Sequence, residues 1–416
     1  MGFAQEHVET LSRALDEPSW LTERRLEAWG YYEKLELPRE KDEPWRYTDL
    51  RRLGFDLDDF APALPYPRGT PALPNPHDAG LALGRDPKLE ERGVVLLPLY
   101  NAIQTRPELV QRHLLSQGNP GQDIFTALHT AFFSGGTFLY VPRGVDVEIP
   151  IEATRTLSEG GVGIFPHTLV VVDEGSSVVF LDRYRSGNLT QPSLSDAGVE
   201  IVVGPGSNVT FVAMQEYGRG VWHFGTQRAS LGREATLQSL VVTLGGSFSR
   251  AQVETTIGGE HGDVQMLGLY FASGDQHFDM RTLQDHAAPR STSDLLYKGA
   301  LKDRSHTVYS GLIRVQPGAE KTDAYQANRN LVLSDHAKAD SKPELEILNN
   351  DVRCTHGSTV GQVDDEQLFY LESRGISRDD AQRLIVEGFF EDVINRVRVE
   401  AVRNVLRDAI ARKLAG

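Results

Sequence analysis

The feature that most constrains this chain is a texture of short β-branched runs between residues 135 and 362. They fall at 169–172, 178–181, 199–203, 209–213, 237–244, 264–270 and 307–315, and no long helical pattern interrupts them. Small turn motifs recur between them: Glu174-Gly175-Ser176-Ser177, Gly204-Pro205-Gly206-Ser207-Asn208, Gly232-Arg233-Glu234-Ala235 and Gly259-Glu260-His261-Gly262-Asp263. Their loose spacing of about 30 residues is the signature of a β-solenoid, in which each coil buries its face against the next. An antiparallel sandwich fits the same strand and turn pattern, and the pattern alone leaves both architectures open.

The flanks read differently. Residues 3–36 repeat apolar side chains at helical spacing, among them Leu11, Leu15, Leu21, Leu26, Trp29 and Leu35, and Pro18 divides them into two helices. Prolines 62, 65, 67, 71 and 74 suit an extended connector. Beyond the β region, Asp364-Asp365-Glu366 opens a helix with an acidic first turn, carrying Leu368 and Leu371 on its apolar side and ending at Gly375. Ser377 and Asp380 resemble a capping box at the start of another helix, and an apolar stripe runs from Leu384 and Ile385 to Ile410. A unit this small has limited room to bury such a stripe, so Phe389, Phe390 and Val393 are expected to meet a partner. The expected organisation is a helical unit at 1–60, a proline-rich linker and mixed α/β lead-in at 61–134, a β core at 135–362 and a helical unit at 363–416.

A formal charge of −15 leaves no general basic surface for nucleic acid. The one cysteine, Cys354, allows no internal disulfide and suits a reducing compartment. With neither a signal-like start nor an apolar run of membrane length, the expected location is cytoplasmic, away from membranes.

The strongest chemical signal is Cys354-Thr355-His356-Gly357. On a strand, Cys354 and His356 project to one face and make a soft metal-binding pair, and Gly357 would let another group approach closely. Their Cα atoms would stand roughly 6.6 Å apart, which suits neighbouring irons of one cluster, or one ligand here and others on a partner. A buried cysteine beside a hydrogen-bonded histidine fits the same spacing. One cysteine cannot hold a four-cysteine cluster. Gly318-Ala319-Glu320-Lys321-Thr322 lacks the glycines of a nucleotide-binding loop, and no dinucleotide fingerprint is present. No enzymatic motif emerges. The alternative is a polysaccharide-acting β-solenoid enzyme, with Asp279, Arg281 and Asp285 as its acid and base candidates.

Longer strings carry a resemblance. Tyr297-Lys298-Gly299-Ala300-Leu301, Gly311-Leu312-Ile313-Arg314-Val315 and the segments 321–331, 342–347, 351–357 and 365–376 are similar to successive signatures of the SufB/SufD family of iron-sulfur cluster assembly proteins. Glu43-Pro44-Trp45-Arg46-Tyr47-Thr48 and Phe125-Thr126-Ala127-Leu128-His129-Thr130-Ala131 resemble its N-terminal motifs. The short helical start and the Cys-x-His-Gly arrangement are most like its SufD-type members. The resemblance implies a right-handed parallel β-helix between helical ends, acting as a non-ATPase scaffold. It also implies pairing with a SufB-like subunit at the end of the β-helix and docking of a SufC-like ATPase on the C-terminal helices. His356, with Cys354 nearby, would be a ligand of a transient iron-sulfur cluster shared with the partner, none being held stably by the chain alone. An open edge strand would also permit a homodimer by β-pairing.

Overall fold

A computed structural model describes residues 2–64, 82–83 and 87–415; most of the proline-rich connector, 61–75, lies outside them. From Gly136–Val141 to Val352–Gln362 the strands are dealt alternately into two sheets, with the short strand Val162–Ile164 off the main path. Every pairing between core strands is parallel, which rules out the antiparallel sandwich. The result is a parallel β-solenoid of about 8 turns.

Pairing in register stacks equivalent residues into columns along the axis. Val209 pairs with Leu237, then Val264, Ser293, Ala324 and Cys354 in turn. The neighbouring inward column runs Phe180, Phe211, Ser239, Met266, Leu295, Gln326 and His356. The corner turns stack as well. Their left-handed position is Gly175 (φ 68°) and Gly206 (φ 64°) in early coils, then Glu234 (φ 56°), His261 (φ 61°), Arg290 (φ 56°) and Lys321 (φ 57°). At each corner that residue's N–H donates to a carbonyl of the next coil, from Gly175 to Pro205 at 2.9 Å through to Lys321 to Asp351 at 2.6 Å. The stretch around Lys321 is therefore one more corner of the solenoid.

Both sheets are also covered on their outer faces, and strands buried on two sides read as near-continuous apolar runs rather than alternating ones. The N-terminal helices Gln5–Leu15 and Ser19–Tyr32, with Ile124–Phe132, cover one sheet. Arg25 binds this layer together, pairing with Glu17 at 2.6 Å and donating to the carbonyls of Ala131 and Phe133. The imidazoles of His129 and His167 meet at 2.9 Å directly over Gly198, where a Cβ would lie 2.4 Å from His129 Nε2. The helices Arg378–Ile394 and Glu400–Ala415 cover the other sheet through Val386, Phe390, Val393, Leu406 and Ile410.

The two ends differ. At the start, Val95–Pro98 pairs antiparallel with Gly136–Val141, and Ala82–Leu83 with Ile151–Leu157, so short strands close both edges. At the finish, Lys338–Ile347 and Val352–Gln362 are the last strands of their sheets.

Burial pushes the His129 imidazole down to about 3, with neighbouring His167 adding to the effect, and pushes His223, His277 and His286 to about 4. The unfolded chain takes up protons at these four rings near pH 6.5, whereas the folded chain resists them until near pH 4. Stability therefore rises with pH across that window. The melting temperature should fall steadily as the pH is lowered from about 7 to about 4.5; a flat profile by calorimetry would contradict four buried neutral rings.

Candidate functional site

The last strand places Cys354, His356, Ser358 and Val360 in one row, above the buried Ala324, Gln326, Asn328 and Asn330 of the preceding coil. This row faces the lumen at its uncovered end. Cys354 is half-buried against Ile313, Val315, Ala319 and Ala324, and this burial, with Asp323 adding to it, raises its thiol pKa. A raised pKa keeps the sulfur protonated until a metal displaces the proton. His356 is exposed. Cys354 and His356 therefore do share a face, one sheltered and one presented at the open mouth. Gly357 points to the outside, where an added Cβ would meet only the Tyr325 hydroxyl at 3.8 Å.

The lumen behind this row turns polar in its final coils. The Tyr270 hydroxyl donates to Asn330 (2.6 Å), Asn330 to Asn328 (2.7 Å), and Ser341 joins Asn328 to Ser358 at 2.7 Å on either side. Around the mouth, Leu345, Ile347, Leu348 and Val360 are exposed apolar side chains, because no further coil covers them. Two unpaired strand edges, an apolar rim and two soft donors thus occupy one end. Among the described residues no group of three or more histidine, cysteine, aspartate or glutamate side chains is placed to hold a metal ion. Cys354 and His356 by themselves make at most two soft donors of a coordination sphere.

Two expectations are corrected. Phe390 and Val393 are fully buried beneath the chain's own C-terminal helices, and Phe389 is half-buried under Lys298, whose ammonium lies 4.4 Å from its ring. The stripe finds its room on the outer face of the solenoid sheet, a surface that reading the helical unit alone left out. The apolar side chains exposed on the C-terminal helices are Phe369 (72%) and Tyr370 (57%) on the helix Asp365–Ser373 and Leu384 (44%) on Arg378–Ile394. The second correction concerns the polysaccharide alternative. Asp279 is fully buried, accepts from the Thr48 hydroxyl at 2.9 Å and is clamped by Arg250 and Arg281. Burial would raise its carboxyl, but the two guanidiniums outweigh it and hold Asp279 below the usual carboxylate range. Arg250 also lies 3.8 Å above the Trp45 ring. The group is an ion-pair latch beneath the N-terminal layer, with the Asp279 carboxylate closed off from solvent. The sequence signal for the latch was the Trp45–Thr48 motif, whose side chains reach the solenoid. The polar lumen had no signal beyond asparagines at alternate positions.

Comparisons with known proteins identify the family. Residues 155–389 match the SufBD core domain of the SUF system for iron-sulfur cluster assembly, and residues 84–153 match the SufBD protein N-terminal region. An iron-sulfur cluster assembly SufBD family protein of Mycobacterium leprae is 35% identical over 95% of both chains. The iron-sulfur cluster assembly protein SufD of Bacillus subtilis is 29% identical over 99% of this chain and 98% of its own length. SufB of the same organism is 28% identical over 96% of this chain and 90% of its own. The chain belongs to the SufBD family of the SUF iron-sulfur cluster assembly system.

Proposed function

We propose that this protein is a SufD-type scaffold subunit that completes an iron-sulfur assembly site only when a SufB-like subunit adds its own strands and ligands to the open end of the solenoid. The observation that carries this reading is the coincidence, at one end, of two unpaired edges with Cys354 and His356 turned into the lumen. Edge strands recruit another chain by continuing their hydrogen-bond ladders, and the apolar rim gives the contact area to bury. The nascent cluster is the cargo of this site, with His356 as its ligand from this subunit and Cys354 as a second donor. A second copy of the chain could use the same edges in the absence of the partner. The reading includes docking of a SufC-like ATPase on the exposed side of the C-terminal helices, at Phe369 and Tyr370, and a cytoplasmic location for the complex. Among the described residues no helix is long and apolar enough to cross a membrane.

Because His356 is exposed, His356→Ala should change stability by no more than about 0.5 kcal/mol. Removing a ligand should nonetheless lower cluster formation by the reconstituted complex by about tenfold or more. Melting, co-purification and visible absorption after anaerobic reconstitution, on one preparation, decide the matter. Wild-type cluster yield would sink the ligand assignment.

The docking surface has its own test. Phe369→Asp should abolish co-purification of the ATPase with circular dichroism unchanged. Phe390→Ala, which empties the core beneath the helices, should cost about 3–5 kcal/mol of stability. Full ATPase retention by folded Phe369→Asp protein would move the contact elsewhere.

A further inference from the structure

A chain of hydrogen bonds ties the N-terminal layer to the solenoid far from the open mouth. His129 Nδ1 lies 2.9 Å from the carbonyl oxygen of Asp196, His129 Nε2 lies 2.9 Å from His167 Nδ1, and His167 Nε2 lies 3.1 Å from Glu200 Oε2. His129 comes from the helix Ile124–Phe132. His167 and Glu200 share the outer face of the sheet, because His167 pairs in register with Gly198, two residues before Glu200. All three side chains are buried.

The protons in this chain can be counted. A carbonyl only accepts, so His129 Nδ1 carries a proton. A second proton lies between the two rings, and a third between His167 and Glu200. Glu200 also accepts the backbone N–H groups of Leu115 and Gln117. Three donors favour an ionised carboxylate, which leaves the third proton on His167 Nε2. Two imidazoles and a carboxylate ordinarily hold two protons above about pH 7, whereas this chain needs three. Burial pushes the His129 imidazole down to about 3, so the extra charge belongs to His167, beside Glu200. Other charges near the chain are already matched or removed. Arg25, from the helix Ser19–Tyr32, pairs with Glu17, and Arg228, from the strand Val221–Leu231, pairs with Glu254. Arg24 donates to the Leu114 carbonyl, and Asp123 caps the helix that carries His129. Burial raises the Asp196 carboxyl well above the usual range and, with Arg112 adding to it, lowers the His113 imidazole, so both are neutral.

We propose that His129, His167 and Glu200 form a proton-operated latch: the third proton holds the helix Ile124–Phe132 against the sheet, and its loss lets the helix part from it. Without that proton, either two ring nitrogens face each other through lone pairs or a bare His167 nitrogen faces the Glu200 carboxylate. Either contact is repulsive in a buried site. A cavity of about 190 Å³, bordered by Arg24, Gly118, Thr126 and both rings, gives the proton a route out. The folded chain thus binds one proton more than the unfolded chain above about pH 7. This contribution to stability is complete below the ordinary imidazole value of about 6.5 and falls as the pH rises through release of the proton. The buried neutral rings act on the acid side of that value, so the two effects occupy different pH ranges.

The test follows the full chain, 15N-labelled at histidine, by NMR from about pH 6 to about pH 10. At about pH 8, one of the twelve imidazoles should still carry protons on both nitrogens. That signal should be absent from His167→Gln, and Glu200→Gln should return the ring to its neutral form. As the ring loses its proton, backbone amide exchange in residues 124–132, corrected for base catalysis, should accelerate about tenfold or more. Exchange in the central strand Asp263–Ala272 should stay unchanged. The proton count at about pH 8 needs no variant, so a substitution that fails to fold leaves the test intact. Finding every ring neutral at that pH, or the same doubly protonated ring in folded His167→Gln, would overturn the stored proton. A ring that keeps its proton throughout, or loses it with no change in exchange, would overturn the latch.

Discussion

In-register parallel stacking is the constraint on which the rest of the molecule depends. A coil of about 30 residues cannot bury its inner face alone, and it does so by placing like side chains over like side chains of its neighbours. Corners follow the same rule, since each left-handed residue donates its N–H to a carbonyl one coil on. Such a stack has no internal reason to stop, so the two ends require separate solutions. Short antiparallel strands close the first end. The second is left with unpaired edges, and the two soft donors lie there.

Stacking also explains why the family-like strings around the site have the residues they do. The Tyr297 ring occupies the place a side chain on Gly268 would take, 2.2 Å from its Cβ position, and the Tyr270 ring does the same over Gly299 at 2.0 Å. Tyrosine and glycine alternate between adjacent columns because the lumen has a fixed width. The phenol of Tyr270 then seeds the polar network that runs through Asn330 and Asn328 towards the mouth.

Much of this was legible before any coordinates. Turn spacing pointed to a solenoid while leaving a sandwich open, and period-two alternation put Cys354 and His356 on one face, as the register with Ala324 and Gln326 bears out. The errors share one physical cause: an amphipathic stripe reports that a face is covered without saying by what. Phe390 and Val393 are covered by the chain's own sheet, through contacts with residues more than a hundred positions away such as Leu267 and Leu269. Asp279 looked like a solvated charge because its partners come from outside its own strand, Arg250 from the preceding coil and Thr48 from 231 positions away.

The asymmetry of the two ends also has a consequence in time. Synthesis runs from the N-terminus, so the closed end emerges from the ribosome first, and each later coil meets a finished edge as it appears. Loop closure then spans about 30 residues at every step instead of growing with the chain, and its entropic cost stays nearly constant. The apolar rim at Leu345 and Ile347 is among the last surfaces of the solenoid to be made. The surface most prone to wrong pairing is thereby exposed for the shortest part of synthesis.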